Sequence, residues 1–98
     1  MEETKPEKTD KITGFIQSRP YLDDLGRTID FYDLEKKQMT RVHLYGKPPS
    51  EEDEWMLFAR RQMIKVEVEY YTTMAEGRIK EHLDFYMPWL DRKLEYSW

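Results

Sequence analysis

MIKVEVEYYTTMAEGRIKEHLDFYM, residues Met63 to Met87, holds the cleanest alternation in the chain and decides how the rest is read. In its first half Ile64, Val66, Val68 and Tyr70 share one parity, and Lys65, Glu67, Glu69 and Tyr71 share the other. A period of two with β-branched residues on the apolar side predicts a half-buried strand. The second half repeats the pattern: Ile79, Leu83, Phe85 and Met87 alternate with Lys80, His82, Asp84 and Tyr86, and only Glu81 is out of place. Thr72 to Gly77 is the expected turn of a hairpin.

A slip of one residue would put apolar side chains opposite polar ones, so only registers that keep the two faces apart are allowed. Among these, charge favours Lys65 opposite Asp84, Glu67 opposite His82 and Glu69 opposite Lys80, with Ile64 on Phe85 and Val66 on Leu83. Opposite charges directly across a sheet contribute about 0.2–1 kcal/mol per pair, and like charges cost similar amounts. The expected polar face is therefore a ladder of alternating sign.

Arg27 to Asp33 and Met39 to Tyr45 form a second predicted hairpin, with Ile29 and Phe31 matched to Val42 and Leu44. Its expected register sets Asp30 opposite His43 and Tyr32 opposite Arg41. Lys11 to Gln17 is a short predicted strand, and Gly14 inside it points to a bulge or a close backbone approach. Tyr21 to Gly26 is expected to be a helical turn or compact loop with Leu22 and Leu25 tucked inward. Residues 1–10, polar and aperiodic, are expected to be a disordered tail. Residues 11–98 then make a single domain.

After Gly46, Pro48 and Pro49, Ser50 is positioned to cap a helix. Asp53 stands three residues on, and Glu51, Glu52 and Glu54 lie where the helix dipole favours anions. Projection at helical periodicity places Trp55, Met56, Phe58, Ala59 and Met63 on a core-facing stripe and leaves Leu57 outside it. After Pro88, Leu90, Leu94, Tyr96 and Trp98 fit either a short helix or a last strand. The fold class is α+β: an antiparallel sheet of about 4–6 strands built from two hairpins, with one main helix packed on one face.

The chain has 98 residues, a formal net charge of -4 and no Cys, which excludes disulfides, thiol catalysis and cysteine-ligated zinc. Negative charge argues against sequence-independent nucleic-acid binding and against an anionic membrane surface. No apolar run approaches the roughly 18 residues needed to span a bilayer, and MEETKPEKTD is not a signal peptide, so the expected location is cytoplasmic, of the producing or host cell. Asn is absent and charged residues make up 37%, a balance resembling that of thermophile proteins.

No nucleophile elbow, phosphate-binding loop, dinucleotide fingerprint or zinc-protease motif is present, and the Gly residues are isolated from one another. No catalytic residue, cofactor or metal is expected. The favoured reading is a small non-enzymatic protein-binding factor, accessory or viral, acting on host machinery and self-associating as a dimer. It uses an acidic and aromatic surface, with Trp55, Leu57, Trp89 and Trp98 as partner contacts, because aromatic anchors dominate interface energies. The alternative is a nucleic-acid-binding module that grips phosphates with Lys36, Lys37, Arg60 and Arg61 and stacks bases on Tyr71 and Tyr86. A third reading, a small metal-assisted hydrolase, rests on Glu67, Glu69, His82 and Asp84, which a charge ladder explains without a metal.

Overall fold

The computed structural model describes residues 6–46 and 48–97. They form an antiparallel sheet of seven strands and one helix, an α+β arrangement whose sheet curls into a half-barrel. In chain order the elements are β1 (Pro6–Ile16), β2 (Tyr21–Asp23), β3 (Gly26–Asp33), β4 (Gln38–His43), α1 (Glu51–Ala59), β5 (Val66–Ala75), β6 (Arg78–Met87) and β7 (Arg92–Ser97).

Strand β1 joins the two halves. Its first part pairs with β5, from Pro6 opposite Thr73 to Gly14 opposite Val66, and its last residues pair with β3, from Gly14 opposite Asp33 to Ile16 opposite Phe31. Beyond Ile16 the short β2 takes over the same edge of β3, and β4 lies along the other edge. Thus β1, β3 and β4 are consecutive neighbours, and β5 returns through α1 to lie beside β1, a Greek-key connection. Strand β1 begins at Pro6, so residues 6–10 of the expected tail belong to the sheet, and residues 1–5 lie outside the described part.

Gly14 marks a close approach. A Cβ there would lie 1.7 Å from the Tyr32 carbonyl oxygen, so only glycine fits where β1 passes from one half of the sheet to the other. The chain crosses at Gly14 without breaking.

The parities expected for β5 and β6 hold: Val66, Val68, Leu83, Phe85 and Met87 are buried in one core with Ile16, Ile29, Phe31, Val42, Leu44, Leu94 and Tyr96. The register differs from the expected one. Strand β5 runs on to Ala75, and only Glu76 and Gly77 make the turn, with φ of 52° and 73°. Two left-handed residues suit a tight hairpin because their twist matches that of the strands. This turn places Glu67 opposite Tyr86, Glu69 opposite Asp84, Tyr71 opposite His82 and Thr73 opposite Lys80. The alternating ladder is replaced by a directly opposed pair of carboxylates.

In the β3–β4 pair the register also shifts by two residues: Thr28 faces His43, Ile29 faces Val42 and Asp30 faces Arg41. Here Asp33 Oδ1 accepts from the backbone N–H groups of Glu35 (2.9 Å) and Lys36 (3.2 Å), and Lys37 closes the turn at φ 54°. Tyr21 to Gly26, expected to tuck Leu22 and Leu25 inward, is instead strand β2 with a tight turn into β3, and both leucines are exposed.

The Ser50 cap is as expected, its hydroxyl accepting from Asp53 N–H at 3.2 Å. The buried side of α1 is not. Phe58, on the projected stripe, is buried, but Leu57, placed outside it, is 1% exposed, whereas Trp55 is 69% and Met63 is 82% exposed. The reason is polar. Asp53, one turn before Leu57, accepts from Arg92 at 2.7 Å, and Glu54 accepts from Arg27 at 3.0 and 3.2 Å and from the Tyr96 hydroxyl. Two carboxylates tie the helix to β7 and β3, and the face between them carries Leu57 and Phe58 into the core. Phe58 meets Phe85 edge-on at 6.2 Å. Residues 92–97 settle the last segment as a strand, with Leu94 and Tyr96 buried.

Candidate functional site

The side of β5, β6 and β7 away from the core carries the densest group of chemically active side chains among the described residues. Its composition follows from register alone. Strand β6 pairs with β7 so that Asp84 faces Glu95, Tyr86 faces Lys93 and His82 faces Ser97. Combined with the β5–β6 and β1–β5 pairings, one row across four strands reads Lys11, Glu69, Asp84, Glu95. The row on one side reads Thr13, Glu67, Tyr86, Lys93, and the row on the other reads Thr9, Tyr71, His82, Ser97.

Asp84 is the centre. It is 2% exposed, and its Oδ1 has no hydrogen-bond partner. Lys93 Nζ lies 3.9 Å from Oδ2 and 3.5 Å from Glu69 Oε1. Burial raises the Asp84 pKa above the usual carboxylate value, and the charges of Glu95 and Glu69 add to the rise, while the Tyr71 hydroxyl and Lys93 work against it. The same surroundings push Tyr71 up to about 12, through burial first and then the negative charge of Asp84.

The neighbouring rings are held firmly. Tyr71 stacks on His82 with centroids 4.6 Å apart and planes within 4°. His82 Nε2 shares a hydrogen bond with Thr73 Oγ1 at 2.8 Å, and the Tyr86 hydroxyl donates to Asp91 at 2.7 Å. Lys11 meets Glu67 at 3.4 Å. Within these three rows Glu67, Glu69, Asp84 and Glu95 outnumber Lys11 and Lys93, and Lys80 and Arg78 follow on the same face toward the hairpin tip, so the acidic patch is local to the rows around Asp84.

The expected contact residues are distributed differently. Trp55 is exposed and lines a cleft of about 630 Å³ together with Arg19, Pro20, Arg27, Glu54 and Phe58. Leu57 is part of the core and is thereby removed from the contact set. Trp89 is half-buried against the core with the Arg60 guanidinium 5.0 Å from its ring centre. Trp98 lies outside the described residues.

The residues of the nucleic-acid reading sit on separate elements: Lys36 and Lys37 on the β3–β4 turn, Arg60 and Arg61 just after α1, Tyr71 and Tyr86 on β5 and β6. Arg61 donates to the Phe58 carbonyl at 3.2 Å, a helix-end role. The two tyrosines stand among carboxylates, which repel phosphate. For the hydrolase reading, no group of three or more His, Asp or Glu side chains among the described residues is arranged to hold a metal ion, and His82 is occupied by Thr73 and Tyr71.

Lys93 and Glu95 were missed as members of the site because residues 89–98 were open to either helix or strand. Reading RKLEYS with a period of two would have placed both on the polar face of a strand. No family model matches this chain, and neither a curated protein nor a solved structure resembles it closely enough to count as a relative. No helix among the described residues is long and apolar enough to cross a membrane.

Proposed function

We propose that this domain is a non-enzymatic binding module that docks a basic segment of a protein partner on the outer face of β5, β6 and β7. The observation that carries the reading is the row Glu69, Asp84, Glu95, three carboxylates directly opposed across adjacent strands. Like charges directly opposed on a sheet are unfavourable. An arginine or lysine side chain from a partner, laid over the exposed Glu95 and the half-buried Glu69, offsets that cost. Tyr71, His82 and Tyr86 supply flat surfaces on which the stem of such a side chain can lie. A small accessory factor, cellular or viral, acting in the cytoplasm on host machinery fits this use.

The test is a fluorescence-anisotropy titration of a labelled arginine- and lysine-rich peptide, with an acidic peptide of the same length as control. The basic peptide is expected to bind more weakly as salt rises, and Asp84→Asn is expected to weaken it several-fold by removing one of the three negative charges beneath the peptide. Equal binding by wild type and Asp84→Asn, or no binding of the basic peptide at low salt, overturns the reading.

The nucleic-acid alternative rests on a fold-level likeness: the sheet curls into a half-barrel, and partly open barrels are among the scaffolds that bind oligonucleotides. A labelled single-stranded oligonucleotide in the same titration decides between the two. Salt-sensitive binding of the oligonucleotide lost on Arg60→Ala and Lys36→Ala, with no peptide binding, would make the alternative the better reading.

A further inference from the structure

We infer that a second copy of this chain adds to the open edge of β7, antiparallel and about a two-fold axis, so that the two sheets continue as one. Among the described residues β7 pairs with β6 along one edge and with no strand along the other. An unpaired strand edge offers a row of backbone donors and acceptors, and proteins usually guard it with a bulge, a proline or a twist. Strand β7 has no bulge and no proline, and its guards are the charged side chains Arg92, Lys93 and Glu95. Its pairing with β6 runs without a register shift from Met87 opposite Arg92 to His82 opposite Ser97, and it contains no proline and no residue of positive φ.

The side chains choose the register. Two-fold antiparallel pairing keeps the faces apart only if the axis passes through a residue and its own copy. With Glu95 on the axis, two carboxylates meet; with Lys93 on it, two ammonium groups meet. With Leu94 on the axis, Lys93 faces Glu95 of the second copy and Glu95 faces its Lys93, on the same side of the sheet as Asp84. Leu94 then meets Leu94, and Arg92 faces Tyr96. This register makes every charged pair on the outer face complementary, and it ends the row Glu69, Asp84, Glu95 on a cation.

The edges of β2 and β4 lack this match. Strand β2 spans three residues. Strand β4 carries Arg41 and His43 but no carboxylate, so self-pairing sets cation against cation or against a neutral side chain. Helix α1 reaches β7 through side chains, Asp53 to Arg92 and Glu54 to Tyr96.

The experiment is sedimentation equilibrium of the full chain. Wild type is expected to dimerise. Glu95→Lys, an exposed position, is expected to weaken the dimer at least tenfold, and the double variant Lys93→Glu with Glu95→Lys is expected to restore it, because reversal of both charges keeps every cross-axis pair complementary. Circular dichroism checks that the variants are folded, since Lys93 also balances Glu69 and Asp84. Should Lys93→Glu fail to fold, Glu95→Gln serves in its place, with weakening intermediate between wild type and Glu95→Lys. A monomeric wild type at high micromolar concentration, or a Glu95→Lys dimer as tight as wild type, overturns the inference. It stands apart from peptide binding, because Asp84→Asn removes the charge beneath the peptide and leaves the Lys93 and Glu95 pairs of the dimer in place.

Discussion

Replacing Asp84 by Asn is expected to stabilise the fold at neutral pH, although it changes a buried polar residue. The wild-type carboxylate is almost wholly covered, faces Glu69 and Glu95 across adjacent strands, and leaves Oδ1 without a partner. An unpartnered buried oxygen costs about 1–3 kcal/mol, and each opposed like-charge pair costs up to ~1 kcal/mol. The Tyr71 hydroxyl and Lys93, the latter at 3.9 Å from Oδ2, offset part of this. The amide keeps the shape, removes the repulsion and can donate to either neighbouring carboxylate, for a net gain of about 1–2 kcal/mol. In a domain of this size that is a rise of roughly 5–15 °C in Tm.

The pH dependence separates this cause from simple repacking. The folded Asp84 pKa is raised above its unfolded value of 3.8, chiefly by burial. Between those two values the native state binds more protons than the unfolded one, so this group's contribution to stability falls as pH rises through that window. Its full cost is present above the folded pKa. Below the unfolded pKa the wild-type carboxyl is neutral in both states and the advantage of Asn disappears. The other carboxylates titrate in both proteins and cancel to first order in the difference. Urea denaturation at about pH 7 and about pH 3.5 is the assay. A variant less stable than wild type at neutral pH, or a gap that does not change with pH, refutes the reasoning.

Two further substitutions test the fold. Gly14→Ala forces a methyl group onto the Tyr32 carbonyl and is expected to cost about 3 kcal/mol or to prevent folding; a melting temperature within a few degrees of wild type would show that the β1 crossing is looser than the 1.7 Å approach implies. On α1, Leu57→Ala is expected to cost about 2–5 kcal/mol and Trp55→Ala about 0.5 kcal/mol or less, as measured by urea denaturation. The opposite order would mean that the helix presents its other side to the core.

Much of the architecture was legible because it depends on short-range pattern. Alternation fixed which residues of β5 and β6 face inward, and Ser50 marked the helix start through a hydroxyl that caps its own first turn. Register was not legible from charge. It follows from turn conformation, and a Glu-Gly turn with both residues left-handed overrides the preference of Glu69 for Lys80. Helix facing failed for a related reason: Asp53 and Glu54 are drawn inward by Arg92, Arg27 and Tyr96, partners far away in sequence that no local window contains. The candidate site was half visible. Glu69, His82 and Asp84 stood out as a group, but their arrangement, and the contribution of Lys93 and Glu95, exists only once three strands are aligned.

The double engagement of β1 also bears on the order in which the chain can assemble. Gly14 pairs with Asp33 on one side and on the other with Val66, which lies roughly 50 residues further along the chain than Gly14 itself. During synthesis β1 leaves the ribosome first, pairs early with β3 through its last few residues, and waits several seconds at ordinary elongation rates for β5. Pairing across so long a loop makes folding slow. Until β5 arrives, the stretch from Pro6 to Thr13 is an unsatisfied strand, and this first-made segment is where a chaperone has the longest opportunity to act.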